Sequence, residues 1–311
     1  MANFLFVASV LFLVSCQAPR VSASRLPLGP GQFDLSLSHE GRERSYILYL
    51  PKGYSAEKQF PLVLAFHGGG GNARIQATDR FYQFISSADK HGYVVVFPNG
   101  TGALGGDRLA TWNAGLCCGK ARDNKVDDVG FVRALLRELA PQVSFDPKRV
   151  FATGMSNGAM MAYRLACEAP ELIRAVGAVA GTDNTTSCAP KRAVSILHIH
   201  SLHDEHVNFN GGRGAAAAGA DQVNEFVSVP ATVAAWKKHN ACGEAAERVS
   251  ETALSYCDRY RCKDGARVQL CVTKDGGHSW PGGQKPLARG PRPSQAFNAT
   301  ELIWQFFSQV I

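Results

Sequence analysis

One pentapeptide constrains this chain more than any other stretch: Gly154-Met155-Ser156-Asn157-Gly158. Before it, Val150 to Thr153 is a short apolar run that reads as a buried strand. After it, Asn157 to Ala169 has helical spacing and composition and stops at Pro170. A residue at a sharp strand-to-helix turn has a strained backbone, so its neighbours two positions away on either side must lack side chains. The turn lifts the Ser156 oxygen out at a helix N-terminus, where backbone N–H groups and the helix dipole favour a developing negative charge. The plain structural alternative is a Gly-rich turn with a capping serine.

The rest of the chain supplies strands and helices in alternation. Gln32 to Ser38 and Arg44 to Tyr49 read as strands. Pro61 to Phe66 is a continuous apolar run, typical of a strand covered on both faces, and it leads directly into His67-Gly68-Gly69-Gly70-Gly71-Asn72. Gln76 to His91 reads as one amphipathic helix, followed by a buried strand at Tyr93 to Phe97. Gly100 to Arg122 is a long Gly-bearing loop, and loops of that length in compact domains are usually functional. Asp127 or Asp128 caps the next helix. Beyond the pentapeptide come strands at Ile173 to Ala180 and Ala193 to His200. A helix opens at Ser228 and Pro230 and runs through His239, and a hairpin spans 255–273. A last helix stands behind the capping box Asn298-Ala-Thr-Glu301. This order predicts a single α/β domain over 33–311, with a mostly parallel central sheet and helices on both faces. The Gly/Ala-rich residues 210–220 read as a flap.

Ala2 to Val14 is uncharged and apolar, too short to span a bilayer, and fits the core of an export signal over 1–23 that lacks a positive leader. Leu13-Val14-Ser15-Cys16 is a bacterial lipobox pattern that would make Cys16 a lipid anchor; cleavage after Val21-Ser22-Ala23 is the other reading. Both predict export, with 24–32 as a tether and a secreted, periplasmic or lipid-anchored location. Setting Cys16 aside leaves eight of the nine cysteines, an even number suited to disulfides in an oxidising compartment. Cys257 and Cys271 flank the turn Lys263-Asp-Gly-Ala266 as a cross-strand bridge would require. Cys242 with Cys262 and Cys167 with Cys188 are then reasonable pairs, leaving Cys117 and Cys118 to each other; other connectivities stay open. Without a Cys-x-x-Cys pair, a metal site is not expected there. The net charge of +7 is spread without a basic run, so no nucleic-acid partner is expected. Asn99-Gly-Thr, Asn184-Thr-Thr and Asn298-Ala-Thr would be glycosylation acceptors only in a eukaryotic secretory route.

Acyl transfer needs a nucleophile, a base, an acid to orient that base, and donors for the oxyanion. Ser156 is the nucleophile. Its partners should lie beyond the carboxyl ends of later strands. Asp204 follows the strand ending at His200, with Glu205 and Asp221 as substitutes. His278 sits in Gly276-Gly277-His278-Ser279-Trp280-Pro281-Gly282-Gly283, where glycines keep it on a loop. Ser…Asp…His is the order expected of an α/β-hydrolase. Asn157 and Gly69, with Gly70 as the near alternative, are the expected oxyanion donors. The rival is a metal hydrolase built on His198-Ile-His200-Ser-Leu-His203-Asp204-Glu205-His206. However, Leu202 stands where a His-x-His-x-Asp-His motif needs aspartate.

Taken together, His67-Gly-Gly-Gly-Gly-Asn-Ala73, Trp112-Asn-Ala-Gly-Leu-Cys-Cys-Gly119, Val126-Asp-Asp-Val-Gly-Phe131, Gly154-Met-Ser-Asn-Gly158 and Gly277-His-Ser-Trp-Pro-Gly-Gly283 resemble the secreted polyhydroxybutyrate depolymerases. Feruloyl and acetylxylan esterases of carbohydrate esterase family one are similar. The resemblance covers about residues 30–308. It implies an α/β-hydrolase fold, no cofactor, no metal, and an acyl-enzyme mechanism on Ser156, His278 and Asp204. The expected partner is an ester, either a small molecule or a polymer chain end. It would be a hydroxyalkanoate oligomer or a feruloyl or acetyl ester of plant polysaccharide, acted on by a monomer. A peptidase or amidase with the same triad is the alternative. Trp112 and Trp280 would border the pocket. The family usually has Gly-Thr-x-Asp where this chain has Ser201-Leu202-His203-Asp204, and the Cys257/Cys271 pair is an addition.

Overall fold

The computed structural model describes residues 29–103, 106–214, 225–285 and 291–310. The export signal, the Cys16 lipobox, Asp221 and residues 215–220 of the expected flap lie outside the described residues. The strands, in chain order, are β1 (Gly31–His39), β2 (Arg42–Leu50), β3 (Phe60–Phe66), β4 (Val94–Pro98), β5 (Thr101–Gly102) and β6 (Ala110–Thr111). They continue as β7 (Phe145–Met155), β8 (Ala175–Val179), β9 (Ser195–Ser201), β10 (Glu247–Glu251), β11 (Ser255–Arg261) and β12 (Arg267–Thr273). The helices are α1 (Ala73–Gln76), α2 (Asp79–Tyr82), α3 (Phe84–His91), α4 (Gly119–Asp123), α5 (Asp128–Leu139), α6 (Asn157–Glu168), α7 (Val229–His239) and α8 (Ala299–Ser308).

Among the described residues one sheet runs β1-β2-β4-β3-β7-β8-β9-β12-β11-β10, with β5 and β6 paired separately. From β4 to β12 neighbouring strands are parallel. The outer pairs on both sides are antiparallel. This is the mostly parallel sheet that the alternation predicts, and it agrees with the α/β-hydrolase fold that the resemblance implies. β3 is buried at every position because both its faces are covered. Leu62, Leu64 and Phe66 join a core with the apolar stripes of α5, α6 and α7, including Phe131, Tyr163 and Trp236. Val63 and Ala65 point the other way, into a second core with Phe84 of α3 and Ile303, Phe306 and Phe307 of α8. Each such leucine or phenylalanine contributes about 2 kcal/mol by leaving water.

The single helix expected over Gln76 to His91 is instead three pieces, α1 to α3. The break has a tertiary cause. Gln83 takes a left-handed backbone, φ +58°, and its side chain leaves the helical face to donate to the Gly282 carbonyl (2.9 Å) and accept from Asn298. Asp79 stabilises the restart by accepting from the Ser86 backbone N–H (3.0 Å). Disulfides join Cys117 to Cys118, Cys167 to Cys188, Cys242 to Cys262 and Cys257 to Cys271. Cys257 and Cys271 are direct partners in the β11–β12 register, as the symmetric turn required. All three Asn-x-Thr asparagines have structural work. Asn99 accepts from Ala73 N (2.6 Å), Asn184 donates to the Thr182 carbonyl (3.0 Å), and Asn298 caps α8 through Glu301 N (3.1 Å).

Glu301 couples α8 to α3 by accepting from Ser87 Oγ (2.9 Å), Lys90 Nζ (2.6 Å) and His91 Nε2 (3.0 Å). Burial would raise its pKa, but these donors outweigh it and bring the carboxyl down from 4.5 to about 2. A depressed carboxylate stabilises the fold above its unfolded value and loses that contribution as pH falls through the folded one. Stability should therefore decline between about pH 4.5 and 2. Glu301→Gln should flatten that decline and cost about 1 kcal/mol at pH 7, since the group is partly screened by solvent. Denaturant midpoints of both proteins across this range test it.

Candidate active site

Ser156 sits between the end of β7 and the start of α6 with φ +56° and ψ −124°, a strained conformation for a residue with a side chain. The glycines around it are there for space. A Cβ on Gly158 would lie 2.3 Å from the Phe66 carbonyl oxygen, and one on Gly154 2.6 Å from the same atom. The close approach packs the first turn of α6 against the end of β3. It thereby brings the Gly-rich loop beside the serine.

That loop is braced from behind. The Gly68 carbonyl accepts from His67 Nδ1 (2.8 Å) and from Gly71 N (3.0 Å). Because the peptide is planar and trans, tying down this carbonyl turns the Gly69 N–H the opposite way. Gly69 lies alongside Asn157: a Cβ built on it would stand 3.7 Å from Asn157 Cβ. The Asn157 side chain is pinned to Trp112, accepting from its N–H (2.7 Å) and donating to its carbonyl (3.0 Å). Neither the Gly69 nor the Asn157 backbone N–H donates to a protein acceptor among the described residues. They are the two donors expected for an oxyanion. Gly70 drops out as the alternative, since its N–H is given to the Ala110 carbonyl (2.8 Å).

Asp204 and His278 meet beyond the carboxyl ends of β9 and β12. His278 Nδ1 lies 2.8 Å from Asp204 Oδ2, and the other carboxylate oxygen accepts from His206 N and Val207 N, each at 2.9 Å. Burial alone would raise the Asp204 pKa, but contacts with His200 and His278 reverse this and hold the carboxyl well below its usual range. Glu205, the substitute acid, is exposed. With Nδ1 facing Asp204, Nε2 is the imidazole nitrogen left for a proton exchange. Among the described residues no hydrogen bond joins it to Ser156 Oγ; catalytic contacts of this kind are often long without substrate and tighten in the complex. The His206 ring stacks on that of His278, centroids 4.9 Å apart.

The departure at Ser201 has a visible purpose. Its hydroxyl donates to the Asp275 carbonyl (3.0 Å) and accepts from His203 N and Gly277 N, both at 3.1 Å. One side chain thus ties the acid loop to the base loop. Both tryptophans need correction as pocket borders. Trp112 is fully buried, its indole N–H donating to the His67 carbonyl (3.0 Å). Trp280, 3% exposed, packs against Tyr82 and Phe84 and donates to Thr300 Oγ1 (3.1 Å). Both brace the loops from inside the core. The Trp112 loop has a further anchor in the buried pair Arg44–Asp128 (2.6 Å), where Asp128 also accepts from Asn113 N (2.8 Å). Burial pushes the Asp128 carboxyl upward, against the pull of Arg44. The metal-ligand reading also falls: His198 and His200 use both ring nitrogens in hydrogen bonds to Tyr163, to each other and to the Val207 carbonyl. The sequence singles out the glycines of His67-Gly-Gly, and offers Ser201 only as a departure and His206 only as a metal ligand, without assigning a role to His67. The motif contained His67, but its role depends on a carbonyl that only the folded loop presents.

The sequence profile of the family described as Esterase PHB depolymerase matches residues 44–207, which hold Ser156 and Asp204 but not His278. Feruloyl esterase B of Piromyces equi is 30% identical over 244 residues, covering 76% of this chain and 42% of that protein. The chain thus spans less than half of that relative. An esterase by name, NocK of Nocardia uniformis subsp. tsuyamanensis, is 30% identical over 260 residues, covering 79% of this chain and 73% of that one. The acetyl xylan esterase of Aspergillus awamori superposes with a TM-score of 0.59 at 13% identity, covering 90% of this chain and 99% of that structure, a likeness of fold.

His67 is buried, and burial brings its imidazole down from 6.5 to about 4, with the Gly68 hydrogen bond opposing. A depressed histidine stabilises the fold above its unfolded value and loses that contribution as pH falls. Stability should therefore decrease from about pH 6.5 to 4. His67→Gln should remove that decrease while costing about 1–2 kcal/mol at pH 8. Urea midpoints at pH 8, 6 and 4 measure both effects.

Proposed function

The chain belongs to the esterase PHB depolymerase family, and from that footing we propose that it is an exported serine carboxylic-ester hydrolase working through an acyl-enzyme. What supports this most is the 2.8 Å contact of His278 Nδ1 with Asp204, placed on the same sheet edge as a strained Ser156. His278 Nε2 takes the Ser156 proton as the hydroxyl oxygen attacks the ester carbonyl. The carbonyl oxygen gains negative charge between the Gly69 and Asn157 N–H groups, whose fixed dipoles need no reorganisation. Asp204 keeps the imidazole in the tautomer with the proton on Nδ1 and stabilises the imidazolium. His278 then gives the proton to the departing alcohol. Water, deprotonated by the same nitrogen, attacks the acyl-Ser156 ester and releases the acid.

The substrate class follows the relatives: feruloyl or acetyl esters of plant polysaccharide, with hydroxyalkanoate oligomers as the other member of the set. Four disulfides and the apolar leader favour an oxidising, extracytoplasmic location.

Ser156→Ala should lower kcat on an aryl acetate by at least about 10⁴-fold, and Asp204→Asn by about 10³–10⁴-fold, without unfolding the protein. Ser156→Ala with full activity would overturn the mechanism. Methyl ferulate, acetylated xylan and hydroxybutyrate trimer, compared by kcat/KM, rank the substrate classes; failure to hydrolyse any of them would remove the substrate reading.

A further inference from the structure

Behind Asp204 lies a second set of titratable side chains that the mechanism above does not use. Tyr163 of α6 and His198 and His200 of β9 form an unbroken buried line, with His198 and His200 at 0% and 1% exposure. The contacts are Tyr163 Oη to His198 Nδ1 (2.8 Å), His198 Nε2 to His200 Nδ1 (3.0 Å), and His200 Nε2 to the Val207 carbonyl (2.7 Å). His200 Nε2 also faces Asp204 Oδ2 at 3.3 Å.

These partners fix the protons. A carbonyl only accepts, so His200 Nε2 carries a hydrogen. In a neutral ring His200 Nδ1 is then an acceptor, and His198 Nε2 must donate to it. His198 Nδ1 is in turn an acceptor and takes the Tyr163 hydroxyl proton. Every polar atom is satisfied with no net charge, and every dipole points the same way, toward Asp204. Burial, first of all, holds the Tyr163 hydroxyl protonated and His198 uncharged. The charged or titratable groups facing the line are Asp183, which accepts from Trp236 Nε1 of α7 (2.9 Å), and Asp204, His206 and His278 at the other end.

We propose that Tyr163, His198 and His200 are a positioning relay behind the catalytic acid, a neutral hydrogen-bond line whose last N–H, bonded to the Val207 carbonyl, sets its positive end 3.3 Å from the carboxylate that orients His278. This rests on the assignment of Asp204 and His278 above. The relay meets the same carboxylate oxygen, Asp204 Oδ2, that the imidazole of His278 contacts. It also offsets part of the carboxylate charge, so the shared proton stays on His278 Nδ1. Aligned hydrogen bonds polarise one another, which gives the distant Tyr163 hydroxyl a share in the effect.

The test uses the full chain with His200→Leu, which keeps bulk and removes the donor, and His200→Gln, which can return an N–H. On an aryl acetate, His200→Leu should lower kcat about tenfold with KM within about twofold. It should also move the acid limb of kcat/KM upward by about half a pH unit, because a less compensated Asp204 draws a proton to His278 more strongly. His200→Gln should restore most of both. Histidine ¹⁵N spectra in the Ser156→Ala background should find His198 and His200 as neutral Nε2–H tautomers at pH 7. A folded His200→Leu protein with unchanged kcat and limb, a loss of activity with an unmoved limb, or a doubly protonated His200 would each overturn the relay. Should His200→Leu not fold, the His200→Gln profile and the spectra decide. Activity surviving in Ser156→Ala would instead overturn the triad, a result separate from the tautomers.

Discussion

Everything at the candidate site depends on one steric allowance: α6 can begin in contact with the carbonyls that close β3. Gly158 has no side chain, and a Cβ there would sit 2.3 Å from the Phe66 oxygen and 2.5 Å from that of His67. This gap sets Ser156, the first free N–H of α6 and the Gly-rich loop within one small volume. Strain at Ser156 is held in place by strands on both sides, since its N–H bonds to the Val179 carbonyl (2.9 Å) and the Gly154 backbone lies in register with β3 and β8. Packing of the buried parallel strands supplies the rigidity that a turn of this kind needs.

The second organising element is electrostatic. Asp204 is buried, yet it is surrounded by N–H groups from its own loop, from His200 and from His278. Fixed donors of this kind stabilise a carboxylate without competing for a proton, which is what an orienting acid requires. His67 shows the same preference beside the Gly-rich loop: a neutral ring bridges Gly68 and Gly100 and adds no charge beside it.

How much of this could be read from the sequence varied with the range of the interaction. Ser156 and its two glycines were legible because the constraint is local, within five residues. The disulfide between Cys257 and Cys271 was legible because a tight turn makes sequence symmetry equal to strand register. Asp204 and His278 followed from strand order, although neither side chain carries a motif on its own. Trp112 and Trp280 misled: beside glycines and loops, an indole reads the same whether it faces a ligand or fills the core, and here both fill it. The contacts of His67, Ser201 and His200 were not legible, although His200 reads as a metal ligand and Ser201 as a departure, because each acts on a partner contributed by another segment or exposed only by the fold. Gln83 broke a helix that periodicity favoured for the same reason, a contact with residues 199 and 215 positions further along.

That last contact has an evolutionary consequence. The profile match ends at residue 207, so the segment bearing His278 lies outside the matched part of the chain. Yet Gln83, inside the matched part, grips Gly282 and Asn298 on either side of the segment that follows the imidazole. Substitutions in the two halves are therefore not independent. A chimera that replaced the C-terminal third of this chain would leave Gln83 and its left-handed turn facing a loop that was not shaped around them.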